Sequence, residues 1–195
     1  MHLQTHTKQL GILAGLALLM AVTRGSHFGS GSYLPDATLA VFLLGGFFLT
    51  GFGRAAMLVF GVLLLEAGAI DYYAVNAAGV SDWCVTPAYW FLIPTYAVMW
   101  LGGSWFAGQQ QNGWRSLAQF AGVSWLATSG AFLVSEGSFY LLSGRYGDMS
   151  VGEYASGAAQ YYLPYLAGSL MYLALAAVVY VLLVNARKVE GAAHG

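Results

Sequence analysis

Six stretches of the chain carry almost no charge, and polar intervals separate them: Leu10–Thr23, Ala37–Phe52, Ala55–Val75, Pro87–Phe106, Leu117–Leu142 and Ala159–Val184. A helix crossing a bilayer needs roughly 20 apolar residues, within a range of about 17–25. Each stretch therefore predicts one transmembrane helix. The first is short and draws in Gln9 or residues after Thr23. The fifth and sixth are long enough to tilt or to project beyond the bilayer. The expected fold is all-α: a polytopic integral membrane protein with six transmembrane helices in one domain, 1–195.

Lysine and arginine orient such a bundle, because they concentrate in cytoplasmic loops. With the N-terminus inside, the inner side carries Lys8, Arg54, Arg115, Arg187 and Lys188, and the outer side only Arg24 and Arg145. Both termini are expected in the cytoplasm. Asp36, Asp82, Asp148 and Glu153 then fall in outer loops. The outer connections, 24–36, 76–86 and 143–158, are better furnished than the inner ones. Long connections between helices usually carry function, since a minimal turn would suffice for connectivity. The first stretch reads as a span rather than the core of a signal peptide: Arg24 follows it directly, and no small-x-small cleavage site precedes that arginine.

Composition narrows the class. The chain is 58% hydrophobic and 8% charged, where soluble domains carry roughly 25% charged residues. Its surroundings are a lipid bilayer. A net charge of -1 argues against nucleic acid as a partner, which needs a basic surface. One cysteine excludes an internal disulfide and any CxxC site. The sequence has no glycine-rich phosphate loop and no internal repeat, so energy coupling must come from another chain or from a gradient. The 26 glycines suit close helix packing in lipid.

Candidate chemistry gathers in the stretch Asp71–Trp90, DYYAVNAAGVSDWCVTPAYW. It holds the only cysteine, Cys84, and a carboxylate, Asp71, at the outer end of the third apolar run. Tyr72, Tyr73, Trp83, Tyr89 and Trp90 surround them and offer flat apolar faces with polar tips, the surface a ligand needs. Cys84 reads either as a small buried packing residue or as a soft ligand or nucleophile. Nothing basic in its own loop activates it, so it makes a poor autonomous nucleophile, whereas a transition metal deprotonates a coordinating thiol outright. Asp71 reads as a helix-end marker, a hydrogen-bond acceptor or a base for the Cys84 proton.

Other residues widen the picture. Glu66 and Glu136 lie at membrane depth, where ionisable groups usually face a bundle interior or cavity. Glu136, Tyr140 and Arg145 are placed to line an outward cavity. His27 sits in the first outer loop, as a solvated side chain or a ligand contact. None of His2, His6, His27 and His194 lies inside an apolar run, so a haem with axial ligands in the bundle is not expected. In the first run, Gly11–Gly15 and Ala17–Ala21 are small-xxx-small pairs with Ala14 adjacent, a face for internal packing or for a partner helix.

The segment LPDATLAVFLLGGF at Leu34–Phe47 and the constellation of Asp71, Cys84 and Tyr89 around SDWCVTPAYW resemble the substrate-binding S-components of energy-coupling-factor (ECF) vitamin transporters. More specifically they resemble the cobalamin-specific BtuM group. The resemblance implies an S-component-like bundle in a bacterial cytoplasmic membrane that binds cobalamin at its outer face. It implies Cys84 as an axial cobalt ligand that displaces cyanide from cyanocobalamin, with Asp71 and Tyr89 beside it. Tyr72, Trp83, Glu136, Arg145 and His27 are the further candidate contacts. It also implies that Ala14, Ala17 and Ala21 on the first helix dock an ECF coupling subunit. A membrane enzyme with Cys84 as nucleophile, or a structural subunit of a larger membrane complex, are the competing expectations.

Overall fold

The computed structural model describes residues 2–24, 34–109 and 113–193. These residues form α1 (His2–Arg24), α2 (Thr38–Leu49), α3 (Ala56–Asn76), α4 (Leu92–Gln109), α5 (Trp114–Leu142) and α6 (Val151–Ala193), and no strand occurs among them. Single 3-10 turns, Thr50–Ala55 and Pro87–Phe91, precede α3 and α4.

The central element is α2. Nine of its residues are buried, among them Val41, Phe42, Leu43 and Leu44 in succession. Four consecutive positions cover every face of a helix, so α2 is enclosed on all sides. Glycine lets it sit deep: a methyl group added to Gly46 would collide with the carbonyl of Trp100, and one added to Gly103 with the carbonyl of Leu43. The α2 and α4 backbones thus touch in both directions, which only glycine allows. Around this contact Phe42 stacks on Tyr96 with ring centroids 4.5 Å apart and meets Phe60 edge-on at 5.3 Å.

Between α2 and α3 the chain reverses at Gly53, whose φ of 58° and ψ of -125° suit a residue without a Cβ. Thr38, at the start of α2, and Asp71, near the end of α3, consequently lie together at one end of the bundle, where both bind Arg24. On the far side, Thr128 of α5 and Ser169 of α6 share a buried hydrogen bond at 3.2 Å. The Tyr172 hydroxyl of α6 donates to the carbonyl of Pro35 at 2.7 Å.

Three segments are long and apolar enough to cross a membrane: Thr38–Asn76 taken through its turn, Trp114–Leu142 and Val151–Ala186. The chain is accordingly a helical protein of membrane type. The α1 helix is diluted by its polar opening HLQTHTKQ, and α4 by its Thr, Ser, Gly, Tyr and Trp content. The helix ends also differ from the apolar runs. The first and last helices extend well into polar sequence, and α6 runs on through Pro164. Pro87 opens a 3-10 turn, so the regular fourth helix starts only at Leu92.

Candidate functional site

At the end of the bundle that holds the termini of α1 and α3, a buried polar network replaces apolar packing. The last residue of α1 is Arg24, only 6% exposed. Its guanidinium grips Asp71 of α3 with two parallel bonds, Nε to Oδ1 at 2.7 Å and Nη2 to Oδ2 at 2.6 Å. Its Nη1 donates to Thr38 Oγ1 at 3.0 Å and Tyr96 Oη at 2.9 Å, and lies 3.4 Å from Asp36 Oδ2. Asp36 in turn caps the start of α2, accepting from the Thr38 amide and hydroxyl at 2.9 and 2.5 Å. A planar fork suits this position, because arginine can fill several acceptors at fixed angles. Four segments of the chain meet on one cation.

Asp71 links this hub to the cysteine loop. Besides Arg24 it accepts the Tyr89 hydroxyl at 2.7 Å. Tyr89 sits in the turn after Thr86, and its amide donates to the Thr86 carbonyl. On the other side of Cys84, Trp83 is held by Arg145 from the loop after α5. The Arg145 guanidinium carbon lies 3.6 Å from the ring centroid, and Nη2 donates to the Trp83 carbonyl at 2.9 Å. The α3 helix ends in a turn at Gly79 (φ 71°), with the Val80 amide donating back to the Ala74 carbonyl. This sends the loop across the bundle end. Along the chain Cys84 therefore lies between two anchored aromatic residues, one tied to a buried carboxylate and one to an exposed guanidinium.

Cys84 is exposed, so the packing-residue reading fails. The protein on its inner side still pushes the thiol up from its ordinary value. Arg145 opposes that rise, and Asp71 and Glu136 add to it. The thiol's own loop holds nothing basic, as its sequence shows, and the opposing cation, Arg145, comes from a different loop. Asp71 is buried and bound to three donors, so the helix-end-marker reading is corrected as well. It is a hydrogen-bond acceptor, and taking up a proton requires it to release one of these bonds.

The remaining candidates separate. Glu136 accepts the Tyr154 hydroxyl at 2.8 Å, and Tyr154 lies against Tyr140 and Tyr146 with centroids 4.8 Å away in each case. Tyr72 is 72% exposed at the bundle end. Glu66 is half-buried on α3. His27 lies outside the described residues. On α1, Ala14 and Ala21 are exposed, whereas Ala17 is half-buried and packs against the core. Cβ atoms built at Gly11 and Gly15 meet nothing within 4 Å. The open face of α1 is therefore Gly11, Ala14, Gly15, Leu18 and Ala21.

Arg24, Asp36 and Tyr96 are the members that sequence reasoning overlooked. Arg24 served there as a topology marker. Its signal was available: an arginine directly closing an apolar helix, at the same level as an aspartate closing another.

Among the described residues no three His, Cys, Asp or Glu side chains gather as a metal site. The bundle end offers a single soft donor on an aromatic surface. No protein-family model and no curated protein matches the chain.

Proposed function

We propose that the protein is a cobalamin-uptake membrane protein of the S-component type. Its six helices cross the bacterial cytoplasmic membrane with both termini inside and the Cys84 loop outside. Helices α2 and α3 cross as a hairpin around Gly53, and the distribution of Lys and Arg sets the direction. The observation that carries the reading is the placement of Cys84: the chain's one cysteine, exposed, in a loop anchored through Trp83 and Tyr89 at the end of a helical bundle.

The corrin of cyanocobalamin, a broad ring with an apolar face and an amide-bearing rim, would lie over Trp83 and Tyr72 with cobalt above the sulfur. Thiolate is a soft donor suited to a transition metal, and no imidazole stands beside it among the described residues. Sulfur donates an electron pair to cobalt(III) and cyanide leaves with its own pair, so the metal's oxidation state does not change. The thiol proton leaves with cyanide or to solvent. Asp71 holds Tyr89 and the loop in place rather than acting as the free base. The open face of α1 is the docking surface for an ECF coupling module, which would supply the energy for uptake.

The test is the visible spectrum of cyanocobalamin mixed with the purified protein. A shifted spectrum with release of cyanide is expected. Cys84→Ser, which keeps size and polarity but offers a hard hydroxyl, should lose both. An unshifted spectrum with wild-type protein, or an equal shift with the serine variant, overturns the reading.

A further inference from the structure

Two carboxylates set within the helices have partners: Asp71 accepts from Arg24 and Tyr89, and Glu136 from Tyr154. Glu66 differs. It is the eleventh of the twenty-one residues of α3, about 15 Å from either end of the helix. The segment around it is long and apolar enough to cross a bilayer. Its side chain is half-buried, and among the described residues no hydrogen-bond donor and no charged group acts on it. The cations among the described residues stand elsewhere: Lys8 in the polar opening of α1, Arg24 at its close, and Arg54, Arg115 and Arg145 in turns or at a helix start. An ionisable group at membrane depth is costly, and by default it marks a functional contact.

The helix face around Glu66 is open. Val62, Glu66, Ala69 and Tyr73 are spaced by four, three and four residues, which keeps them on one stripe of α3. Val62, Ala69 and Tyr73 are exposed, as are Leu58 and Leu65 beside them. Cβ atoms added at Gly61 and Gly68 meet nothing within 4 Å. This is the spacing of a helix–helix seam with one polar residue at its middle. Such a residue fixes the register and the number of strands, because it needs a partner at its own level.

The mate of this stripe must be apolar, with one group at the same depth that both gives and accepts a hydrogen bond. The α3 helix of a second copy, inserted in the same direction, meets that demand. A neutral carboxyl is donor and acceptor at once, so two Glu66 side chains meeting across a two-fold axis satisfy each other. The apolar residues above and below then meet their own kind. An ionised carboxylate would instead require a cation at mid-helix depth, which no described residue of a second copy supplies.

We propose that the protein pairs with a second copy of itself along α3, through a Glu66 carboxyl pair at the centre of the Val62–Tyr73 stripe. The inference does not rest on the corrinoid reading, and its test contains no corrinoid.

The test is subunit counting by single-molecule photobleaching, with the protein labelled on a C-terminal tag in phosphatidylcholine and phosphatidylglycerol liposomes over a range of protein-to-lipid ratios. The wild type should pass from one bleaching step to two as the ratio rises. Glu66→Leu, which suits a lipid-facing position, should raise the dissociation constant about tenfold through the lost interhelical hydrogen bonds. Glu66→Gln, whose amide is also donor and acceptor, should stay within about twofold of the wild type. In a Cys84→Ser background, Ala69→Cys should form an intermolecular disulfide under mild oxidation and Ala14→Cys on α1 should not. A wild type that is monomeric at every ratio overturns the proposal and leaves Glu66 to a helix of another protein. Dimers that Glu66→Leu does not weaken, a Gln variant as weak as the Leu variant, or cross-linking at Ala14 and not at Ala69 overturn it as well.

Discussion

Arg24 and Asp71 lie 47 residues apart in sequence and meet through two charge-assisted hydrogen bonds, buried where α1 and α3 end. Removing one partner of a buried pair leaves an uncompensated charge, which costs about 3–5 kcal/mol, whereas replacing both by apolar groups is often neutral. Arg24→Met should therefore destabilise the protein by that amount, and the double variant Arg24→Met, Asp71→Leu should recover most of the loss. Unfolding midpoints in detergent measure this. A double variant no more stable than Arg24→Met would show that Asp36, Thr38 and Tyr96, not Asp71, make the arginine indispensable.

Asp71→Asn keeps the shape and can still accept the Tyr89 hydroxyl, but it loses the ion pair. Under the proposed function, cobalamin binding should weaken and cyanide displacement slow while the fold persists, as checked by spectral titration and stopped-flow absorbance. The Tyr89→Phe variant should reproduce part of that effect, because it cuts the tie between Asp71 and the cysteine loop. Unchanged kinetics in both variants would confine Asp71 to holding helices together.

The Cys84 thiol titrates above the ordinary thiol range, first through burial and then through Asp71 and Glu136, with Arg145 opposing them. A raised pKa means that the thiolate fraction falls as pH falls, so at neutral pH nearly all of the sulfur is protonated. Alkylation by a small maleimide should rise about tenfold per pH unit from neutral up to that raised value, through the thiolate fraction. Arg145→Ala removes the one opposing cation, so the whole profile should move to higher pH. A plateau already reached near pH 8, or an unmoved profile in the arginine variant, would contradict the electrostatics described here.

Glycine positions divide sharply. Gly46→Ala and Gly103→Ala each push a methyl group into backbone, and overpacking of this kind costs about 1–3 kcal/mol or more. Loss of folded protein on size-exclusion chromatography is the expected outcome. Gly11→Ala and Gly15→Ala meet open space and should raise helix stability by about 0.5–1 kcal/mol each.

The open face of α1 gives a functional counterpart. If this face docks a coupling module as proposed, Ala14→Trp and Ala21→Trp should leave cobalamin binding intact and lower uptake into cells. Ala17 is the poorer test, since it also packs on the core. Equal uptake by all three tryptophan variants would assign this face to lipid.

Much of the architecture was legible in the sequence because bilayer-scale apolar runs are hard to disguise. The six helices among the described residues overlap the six runs, and three segments, Thr38–Asn76, Trp114–Leu142 and Val151–Ala186, are long and apolar enough to cross a bilayer. The helix ends were less legible: Pro87 and the polar flanks of α1 and α6 carry no hydropathy signal for where hydrogen bonding begins. At the site, Cys84, Asp71 and Tyr89 announce themselves as unusual residue types in one short stretch. The Arg24 hub did not, because its five members come from four separate segments, and only the hairpin at Gly53 and the backbone contact of α2 with α4 bring them together. The pairing of Arg145 with Trp83 was hidden for the same reason.

The shortness of α2 has a consequence for both ends of the molecule. Twelve residues rise about 18 Å, against a hydrocarbon core of about 30 Å. Because nine of its twelve residues are buried by neighbouring helices, most of α2 is covered by protein, and the mismatch carries little bilayer penalty. Instead it acts as a stopper that is too short for its bottle. At its first residue lies the guanidinium hub, and beside its last turn Phe47 and Phe48 line an apolar cavity shared with Phe106 and Phe120. One extra helical turn inserted at either end would close the recess there while leaving the membrane thickness seen by lipid unchanged.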